Sequence, residues 1–373
     1  MHYPLAKPHI GKKEERYVLE ALRSGVLSIG PKVEAFEKRF ARFVGMKHAV
    51  AVSSGTAGLH LALIAAHIGK GDEVITPPFS FVASANAILY VGATPVFVDI
   101  DPFVYNIDPT RIEAAITPRT KAILVVHILG QAASMDPIVA IAKKHRLKII
   151  EDACESLGAL YRGANGKRRM VGSFGESAVF AFYPNKQMTT GEGGMIVTNS
   201  ARLAALFRSL RNQGRGTNKE WLDHERLGYN YRLPEMSAAV GLAQLERIRF
   251  LISERQKIAR WYKSGLSPHQ RLITVPYTAP ENTHTWFVYA VLLPERVSRE
   301  RVMERLKRAG IATKPYLPSI HLFSFYRERF GFRKGNFPVS EEVSRRILAL
   351  PFYIGLTKKD VARICARLVQ ALS

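Results

Sequence analysis

Short apolar and β-branched runs alternate with segments of helical periodicity as far as residue 152. HAVAVSS at 48–54 predicts a strand, and GTAGLHLALIAAHIG at 55–69 predicts a helix. The alternation continues through DEVITP, SFVASANAILYVG, TPVFVDI, DPTRIEAAIT, KAILVVHI, MDPIVAIAKKH and LKIIED, which we assign in turn to strands and helices. Repeats of this spacing predict right-handed βαβ units and a mostly parallel sheet covered by helices on both faces.

Helical and strand patterns of other kinds flank this region. Two amphipathic helices are predicted at 12–24 and 31–43, before the first strand. After residue 152, ESAVFAFYP and GGMIVTNS predict strands, and a long helix is predicted from about 234 to 263. We therefore predict an α/β protein with a large domain at 1–250 and a smaller C-terminal α+β domain at 251–373.

The chain is strongly basic for a globular protein. It has 54 Lys and Arg against 31 Asp and Glu, a net charge of +23, and more than half of this excess lies in 251–373. A net positive charge of this size favours anionic partners: a phosphorylated metabolite, nucleic acid or an anionic membrane surface. Acids are interleaved with bases in RERVMERLKR at 299–308, which is more typical of solvated helix faces than of a nucleic-acid-binding arm.

The remaining composition restricts the compartment and the class of protein. A hydrophobic content of 47% excludes a largely disordered chain, and two cysteines are too few for a disulfide framework. The opening MHYPLAKPHIGKKEE has no apolar segment of a signal peptide. The uncharged stretch 74–98 contains three prolines, which favours buried strands and a helix over a membrane span. We expect a cytoplasmic protein with no membrane partner and no bound metal.

Three features lie where predicted strands end, and parallel sheets bind ligands at that edge. In VSSGTAGL, Gly55 and Thr56 open a helix whose N-terminus could bind a phosphate, although an ordinary Ser/Thr cap also explains the pattern. Asp152 ends a buried strand, where it could pair with a structural cation or hold a proton on a bound heterocycle. Lys186, in YPNKQMTTGEGG, is either an exposed loop lysine or a nucleophile for a carbonyl.

Together the three features describe a phosphate cradle, an acid for a ring nitrogen and a lysine for a Schiff base. Those are the protein groups that a pyridoxal 5'-phosphate enzyme has to supply. The acid keeps the pyridine nitrogen protonated, and the lysine bonds the cofactor and then moves protons.

Many ordered segments resemble the DegT/DnrJ/EryC1/StrS family of sugar aminotransferases, in the aspartate aminotransferase (fold type I) superfamily. They include VSSGTAGLHLAL, GDEVITPPFSFVASANAI, IIEDACESLGA, SFGESAVFAFYPNKQMTTGEGGMIVTN, LGYNYRLPEMSAAVG and GIATKPYLPSIH, and they run almost from end to end. The resemblance implies a large domain with a seven-stranded, mostly parallel sheet between helices.

The resemblance also implies a role for each matching residue. Lys186 would form the aldimine, Asp152 would pair with the pyridine nitrogen, and Glu155 would face the ring hydroxyl. Phe81 would stack on the ring, and Gly55 and Thr56 would bind the phosphate. Where the family often has a phosphate-binding serine, this chain has Ala181, so that either one phosphate contact is missing or another donor such as Ser53 or Ser54 replaces it.

Four further positions are implied by the resemblance. Asn230 would reach the cofactor phosphate of the neighbouring subunit, so that the active site is shared within a homodimer. Arg232 would hold an anionic substrate group, unless it forms a surface or interface ion pair. Tyr316 and His321 match substrate-facing positions, although His321 could equally be a structural imidazole.

The resemblance thus implies an aminotransferase that converts a nucleotide-linked ketosugar to an amino sugar. Glutamate would be the amino donor, and the two half reactions would follow ping-pong kinetics through the Lys186 aldimine. The alternative is a basic nucleic-acid-binding or regulatory protein that keeps the fold without the chemistry. We find no separate DNA-binding module in the sequence and expect no nucleic-acid partner.

Overall fold

The computed structural model describes residues 2–216 and 223–372. Its helices are α1 Lys12–Arg23, α2 Pro31–Val44, α3 Gly55–Ala65, α4 Ala83–Tyr90, α5 Met135–Lys144, α6 Ala201–Arg211, α7 Glu235–Glu246, α8 Ile248–Leu266, α9 Arg299–Arg308, α10 Ser324–Phe330, α11 Pro338–Arg346 and α12 Lys358–Leu372. Its strands are β1 His48–Val52, β2 Glu73–Thr76, β3 Thr94–Phe97, β4 Thr120–Val126, β5 Lys148–Asp152, β6 Leu160–Arg162, β7 Arg168–Met170, β8 Ser177–Ala181, β9 Gly194–Thr198, β10 Asn282–Thr283, β11 Tyr289–Leu292, β12 Lys314–Pro315 and β13 Ile347–Leu350.

A seven-stranded sheet organises the larger part of the chain, with the order β1-β9-β8-β5-β4-β2-β3. The strands β8, β5, β4, β2 and β3 pair in parallel, and only β9 runs against its two neighbours. Since β9 is antiparallel to both β1 and β8, β1 points the same way as the parallel strands. The predicted fold class, α/β with a mostly parallel seven-stranded sheet, is confirmed.

Helices cover both faces of this sheet, which explains the continuous apolar runs of its strands. In β1, Val50 and Val52 belong to one buried cluster with α3 and α6, while Ala49 and Ala51 belong to a second cluster with α2. Successive side chains of a strand point to opposite faces, so each face needs its own apolar set. The carboxyl edge of the sheet is left as the place where polar side chains gather.

A smaller sheet, β11-β13-β12, lies in the C-terminal part of the chain. Its core is a third buried cluster that includes Tyr262 of α8, Tyr289 of β11 and Leu368 of α12. Tyr3, near the beginning of the chain, packs into the same cluster. Helix α8 runs across residue 250, and the division into domains at 1–250 and 251–373 stays a prediction.

The stretch 74–98 forms β2, α4 and β3 of the large sheet, as the sequence indicated. Within 2–216 and 223–372 we find no helix with both the length and the apolar character needed to cross a bilayer.

Two helix predictions are wrong. The segment 108–117 forms two 3₁₀ turns, Pro109–Arg111 and Glu113–Ala115, because its β-branched residues and the proline at 118 leave little room to propagate an α-helix. The helix predicted at 234–263 is two helices, α7 and α8, which separate at Arg247 (φ −109°, ψ 5°). The chain changes direction there because α7 packs on α1 and α2, whereas α8 packs on α12.

Glu235, at the start of α7, joins α7 to α2 by capping the N-terminus of α2. Its Oε1 accepts the N–H groups of Gly30 (3.0 Å) and Val33 (2.9 Å), and its Oε2 accepts that of Lys32 (2.9 Å). The residue is only 1% exposed. A buried carboxylate at a helix N-terminus satisfies free N–H groups and complements the helix dipole.

We predict that Glu235→Gln lowers the free energy of unfolding by about 1–3 kcal/mol, because an amide nitrogen replaces one acceptor oxygen beside buried N–H donors. Urea denaturation followed by circular dichroism measures the change. Glu34→Gln, an exposed acid in the first turn of α2, is the matched control and should stay close to wild type. Equal midpoints for Glu235→Gln and wild type would contradict the capping role.

Candidate active site

Three segments converge at the carboxyl edge of the large sheet. The turn from β1 into α3 carries Gly55 and Thr56, the end of β5 carries Asp152, and the loop after β8 carries Lys186. In the parallel pair β5–β8, Asp152 lies opposite Val179, so the two strands end close together. The sheet therefore unites the three features that the sequence placed at strand ends.

Asp152 is held in a fixed orientation although it is only 6% exposed. Its Oδ2 accepts the hydroxyl of Ser84 at 2.7 Å, and that hydroxyl lies 2.7 Å from the hydroxyl of Ser80. Its Oδ1 accepts the backbone N–H of Cys154 at 3.2 Å. Since an ionised carboxylate offers about four acceptor sites, Asp152 keeps capacity for a further donor.

The N-terminus of α3 packs tightly against β8. A Cβ on Gly55 would lie 2.7 Å from the Cβ of Ala181 and 3.0 Å from the Sγ of Cys154, so only glycine fits here without a shift. Ser54 caps the helix by accepting the N–H of Ala57 at 3.1 Å. The N–H groups of Gly55 and Thr56 have no intrahelical acceptor, which leaves them for an anion.

Lys186 lies between an acid and an aromatic ring. Its Nζ is 3.7 Å from Oε1 of Glu155 and 3.9 Å from the centroid of the Phe287 ring. Its side chain is 14% exposed. These two contacts confine the amine to a small volume, within reach of a ligand bound beside it. An ordinary loop lysine is exposed and has no such confinement.

Glu155 is buried beside this amine. Its Oε2 accepts the N–H of Leu129 at 3.0 Å. Burial raises the pKa of Glu155 above its usual value, while the nearby Lys186 opposes that effect. Burial, and then the charge of Glu155, also raise the pKa of the Tyr316 hydroxyl well above its usual value. A carboxyl with a raised pKa is a better hydrogen-bond donor near neutral pH than an ordinary glutamate.

Seven of the ten predicted site residues line one cavity of about 460 Å³, a size typical of ligand sites. They are Gly55, Thr56, Phe81, Asp152, Glu155, Lys186 and Tyr316. Phe81 is 61% exposed, so its ring offers a face to a planar ligand instead of packing in the core. The cavity combines an anion-binding helix N-terminus, a fixed carboxylate and an amine, which suits a phosphorylated heterocycle that carries a carbonyl.

The other three predicted site residues, Asn230, Arg232 and His321, lie outside the lining of that cavity. Asn230 is exposed and its backbone bridges to Asn212. Arg232 donates to the side-chain oxygens of Asn212 (2.9 Å) and Gln213 (2.6 Å). Their roles toward a partner's cofactor and a substrate stay predictions.

His321 is fully buried near the edge strand β3. Its Nε2 lies 2.9 Å from Oε1 of Glu341, and burial lowers the pKa of the imidazole. The position fits the structural alternative named for it in the sequence, and its role toward substrate stays a prediction. Among the described residues, no group of three or more His, Cys, Asp and Glu side chains could hold a metal ion.

The sequence profile of the DegT/DnrJ/EryC1/StrS aminotransferase family matches residues 8–369. The GDP-perosamine synthase of Caulobacter vibrioides is 42% identical over 372 residues, which cover 99% of this chain and 98% of that protein. The chain belongs to the DegT/DnrJ/EryC1/StrS aminotransferase family.

Solved structures agree with this membership. DesV of S. venezuelae, solved with a ketimine intermediate, has a TM-score of 0.91 and 35% identity, covering 100% of this chain and 99% of that one. The putative sugar aminotransferase Spr1654 of Streptococcus pneumoniae, in its PLP form, has a TM-score of 0.93 and 27% identity, with the same coverage. The resemblance inferred from the sequence is confirmed, and the protein is an aminotransferase of this family.

The sequence did not identify several residues of this aminotransferase site. Ser80 and Ser84, just before α4 and in its first turn, could have been recognised as polar residues that follow the carboxyl end of β2. Phe287 had no such signal, because it is distant from Lys186 along the chain and meets it only through the fold. Tyr183, Asn185 and Glu192 also line the cavity, from the loop that was recognised only for its lysine.

We predict that Glu155→Gln stabilises the apo-aminotransferase relative to wild type increasingly as pH rises above the ordinary glutamate pKa of 4.5. Folded wild type binds the Glu155 proton more tightly than the unfolded chain does. The protonated Glu155 therefore contributes its full stabilisation to wild type below pH 4.5, and this stabilisation is lost as pH rises through the raised pKa. A neutral glutamine has no such loss.

Thermal unfolding midpoints of wild type and Glu155→Gln report this difference in stability when they are measured at pH values between the ordinary glutamate pKa of 4.5 and about 8. Glu15→Gln, an exposed acid on α1, is the control and should keep a constant offset from wild type. A constant offset for Glu155→Gln as well would show that Glu155 titrates like an exposed acid.

Proposed function

We propose that this aminotransferase uses pyridoxal 5'-phosphate to convert a nucleotide-linked ketosugar into an amino sugar, with glutamate as the amino donor. The observation that carries the proposal is that Asp152, Lys186 and the N-terminus of α3 open into the same cavity. Membership in the family and the PLP form of Spr1654 support the cofactor. The similarity to a GDP-perosamine synthase supports a nucleotide-linked sugar.

The residues present fit the cofactor. A pyridoxal phosphate in this cavity would supply the electron-withdrawing ring that carries an amino group from donor to acceptor. Asp152, fixed by Ser84, would hold a proton at the ring nitrogen. The N–H groups of Gly55 and Thr56 would bind the phosphate, and the exposed face of Phe81 would cover the ring.

Lys186 would act in two ways in each half reaction. Its Nζ would hold the cofactor covalently at rest, and once displaced by an amine it would move a proton at the reacting carbon. Glu155, 3.7 Å from Nζ, would donate a hydrogen bond toward the ring hydroxyl from its raised-pKa carboxyl. Because donor and acceptor would use one site in turn, ping-pong kinetics follow.

We further propose that the enzyme acts as a homodimer in which Asn230 contributes to the partner's site. Asn230 is exposed and lies outside the cavity of its own subunit. The loop 24–30 lies against the segment that follows Asn230, since Leu27 accepts the N–H of Glu235 and Ser28 bridges to Pro234. That loop exposes Val26, Leu27 and Ile29, and Leu227 is exposed nearby in sequence. Contiguous exposed apolar side chains are typical of an interface.

The first test is the visible absorption of the protein reconstituted with pyridoxal phosphate, before and after addition of glutamate. We expect wild type to show a yellow band that glutamate bleaches, and Lys186→Ala to lack this response because the amine is gone. Lys70→Ala, an exposed loop lysine, should behave as wild type. Amination of nucleotide ketosugars by the bleached enzyme then tests the substrate.

A wild-type protein that retains no pyridoxal phosphate would contradict this proposal. It would favour a basic nucleic-acid-binding or regulatory protein that has kept the fold alone. A bleached enzyme that aminates keto acids but no nucleotide ketosugar would contradict the substrate and leave the cofactor intact.

A second test concerns Ala181, which stands where the family often has a phosphate-binding serine. Its Cβ lies beside the first residue of α3, so Ala181→Ser would add a hydroxyl next to the proposed phosphate position. A hydrogen bond to a charged group contributes about 1.5–3 kcal/mol, and we therefore expect pyridoxal phosphate to bind roughly tenfold tighter. Fluorescence titration of the apo-protein measures the Kd. Ala362→Ser, exposed on α12, is the control, and an unchanged Kd for Ala181→Ser would place the phosphate elsewhere.

A further inference from the structure

Arg255 of α8 is a buried cation whose hydrogen-bond acceptors, among the described residues, are all main-chain carbonyls. Its guanidinium also lies 5.7 Å from the centre of the Phe352 ring. Arg255 is 5% exposed, and no carboxylate of the described residues forms an ion pair with it. Its Nη1 donates to the carbonyls of Trp286 and Phe287, each at 3.2 Å. Its Nη2 donates to those of Asn185 (3.4 Å) and Lys186 (2.7 Å). One planar guanidinium thus joins two segments that are far apart along the chain.

This arrangement is costly, so it calls for a reason. Burial lowers the pKa of Arg255 to about 10, which still leaves it charged at neutral pH. A buried charge without a counter-ion is destabilising, and apolar side chains of similar volume often replace such groups with a gain in stability. What an apolar side chain lacks is a rigid fork of donors that holds two backbones at a fixed separation.

The two segments are those whose side chains meet inside the cavity. Lys186 belongs to the loop after β8 of the large sheet, and Phe287 leads into β11 of the small sheet. The Nζ of Lys186 lies 3.9 Å from the centre of the Phe287 ring. Arg255 binds the carbonyls of both residues, and α8 itself packs in the C-terminal core through Ile258 and Tyr262. The guanidinium therefore ties the amine to the part of the fold that carries the opposing ring.

We propose that Arg255 is a positioning residue that fixes the Nζ of Lys186 relative to the reacting carbon by clamping the Lys186 and Phe287 backbones together. The inference rests on the proposed function, and it adds a residue that lies outside the lining of the cavity. Arg255 acts through Lys186. A misplacement of the amine by about 1 Å costs on the order of 100-fold in rate, even when the substrate still binds.

Arg255→Met and Arg255→Lys test the proposal, with Arg260→Gln, an exposed arginine on the same helix, as control. The readouts are the thermal midpoint, the rate at which apo-protein and pyridoxal phosphate develop the visible band, kcat and KM. For Arg255→Met we expect a folded protein, slower appearance of the band, and kcat lowered about 100-fold while KM changes little. Arg255→Lys, whose single ammonium cannot span both segments as a planar fork, should recover only part of kcat. Arg260→Gln should match wild type.

Each remaining outcome decides between the proposal and its alternatives. Wild-type kcat and band formation in a folded Arg255→Met would overturn the positioning role and leave the aminotransferase proposal standing. Absence of the band in wild type itself would overturn the aminotransferase proposal instead. If Arg255→Met does not fold, Arg255→Lys decides: a wild-type midpoint with lowered kcat supports positioning, and a wild-type kcat overturns it.

Discussion

The hydrogen bond from Ser84 to Asp152 shows the constraint on which the site depends: a charged group at the end of a central, buried strand. The flanking strands β4 and β8 leave Asp152 only 6% exposed, and burying a carboxyl group there is costly unless hydrogen-bond donors surround it. Ser84 and the N–H of Cys154 supply two of them. A ligand with a protonated nitrogen would supply another. Ser84, in the first turn of α4, and Ser80, just before that helix, thereby connect α4 to the end of β5.

The neighbouring acid on β5 meets the same constraint in a different way. Glu151 is fully buried on the opposite face and accepts the N–H groups of Gly172, Phe174 and Gly175. Its Oε2 also lies 3.0 Å from Nε2 of His127. All of its acceptor capacity is thus taken by the protein, which makes it a structural group. Glu151 and Asp152 are adjacent, but the alternation of the strand points them to opposite faces of the sheet. The oxygens of Glu151 are all occupied by protein donors, whereas Asp152 can still accept a hydrogen bond from a ligand.

The sequence was sufficient to predict the elements that depend on local pattern. Buried strands such as β1 and β4 are largely apolar runs, and polar residues at or after the strand ends mark the carboxyl edge. Asp152, the last residue of β5, and Lys186, in the loop after β8, could be found in this way. Patterns failed where tertiary packing decides, as at Arg247, where one helical periodicity is divided between two packing partners. Arg255 and Phe287 could not be assigned for the same reason, because their contacts with the lysine loop join distant segments and have no local signature.

The backbone-directed clamp at Arg255 has a consequence for how the site can diverge. Carbonyl oxygens are present whatever the side chain, so a substitution at Asn185, which lines the cavity, leaves the four acceptors of the guanidinium in place. Side chains that face the cavity are thereby uncoupled from the framework that aligns the amine. Cavity residues can therefore be substituted one at a time during evolution to fit other ligands. The position of the Lys186 amine that Arg255 sets would not change with them.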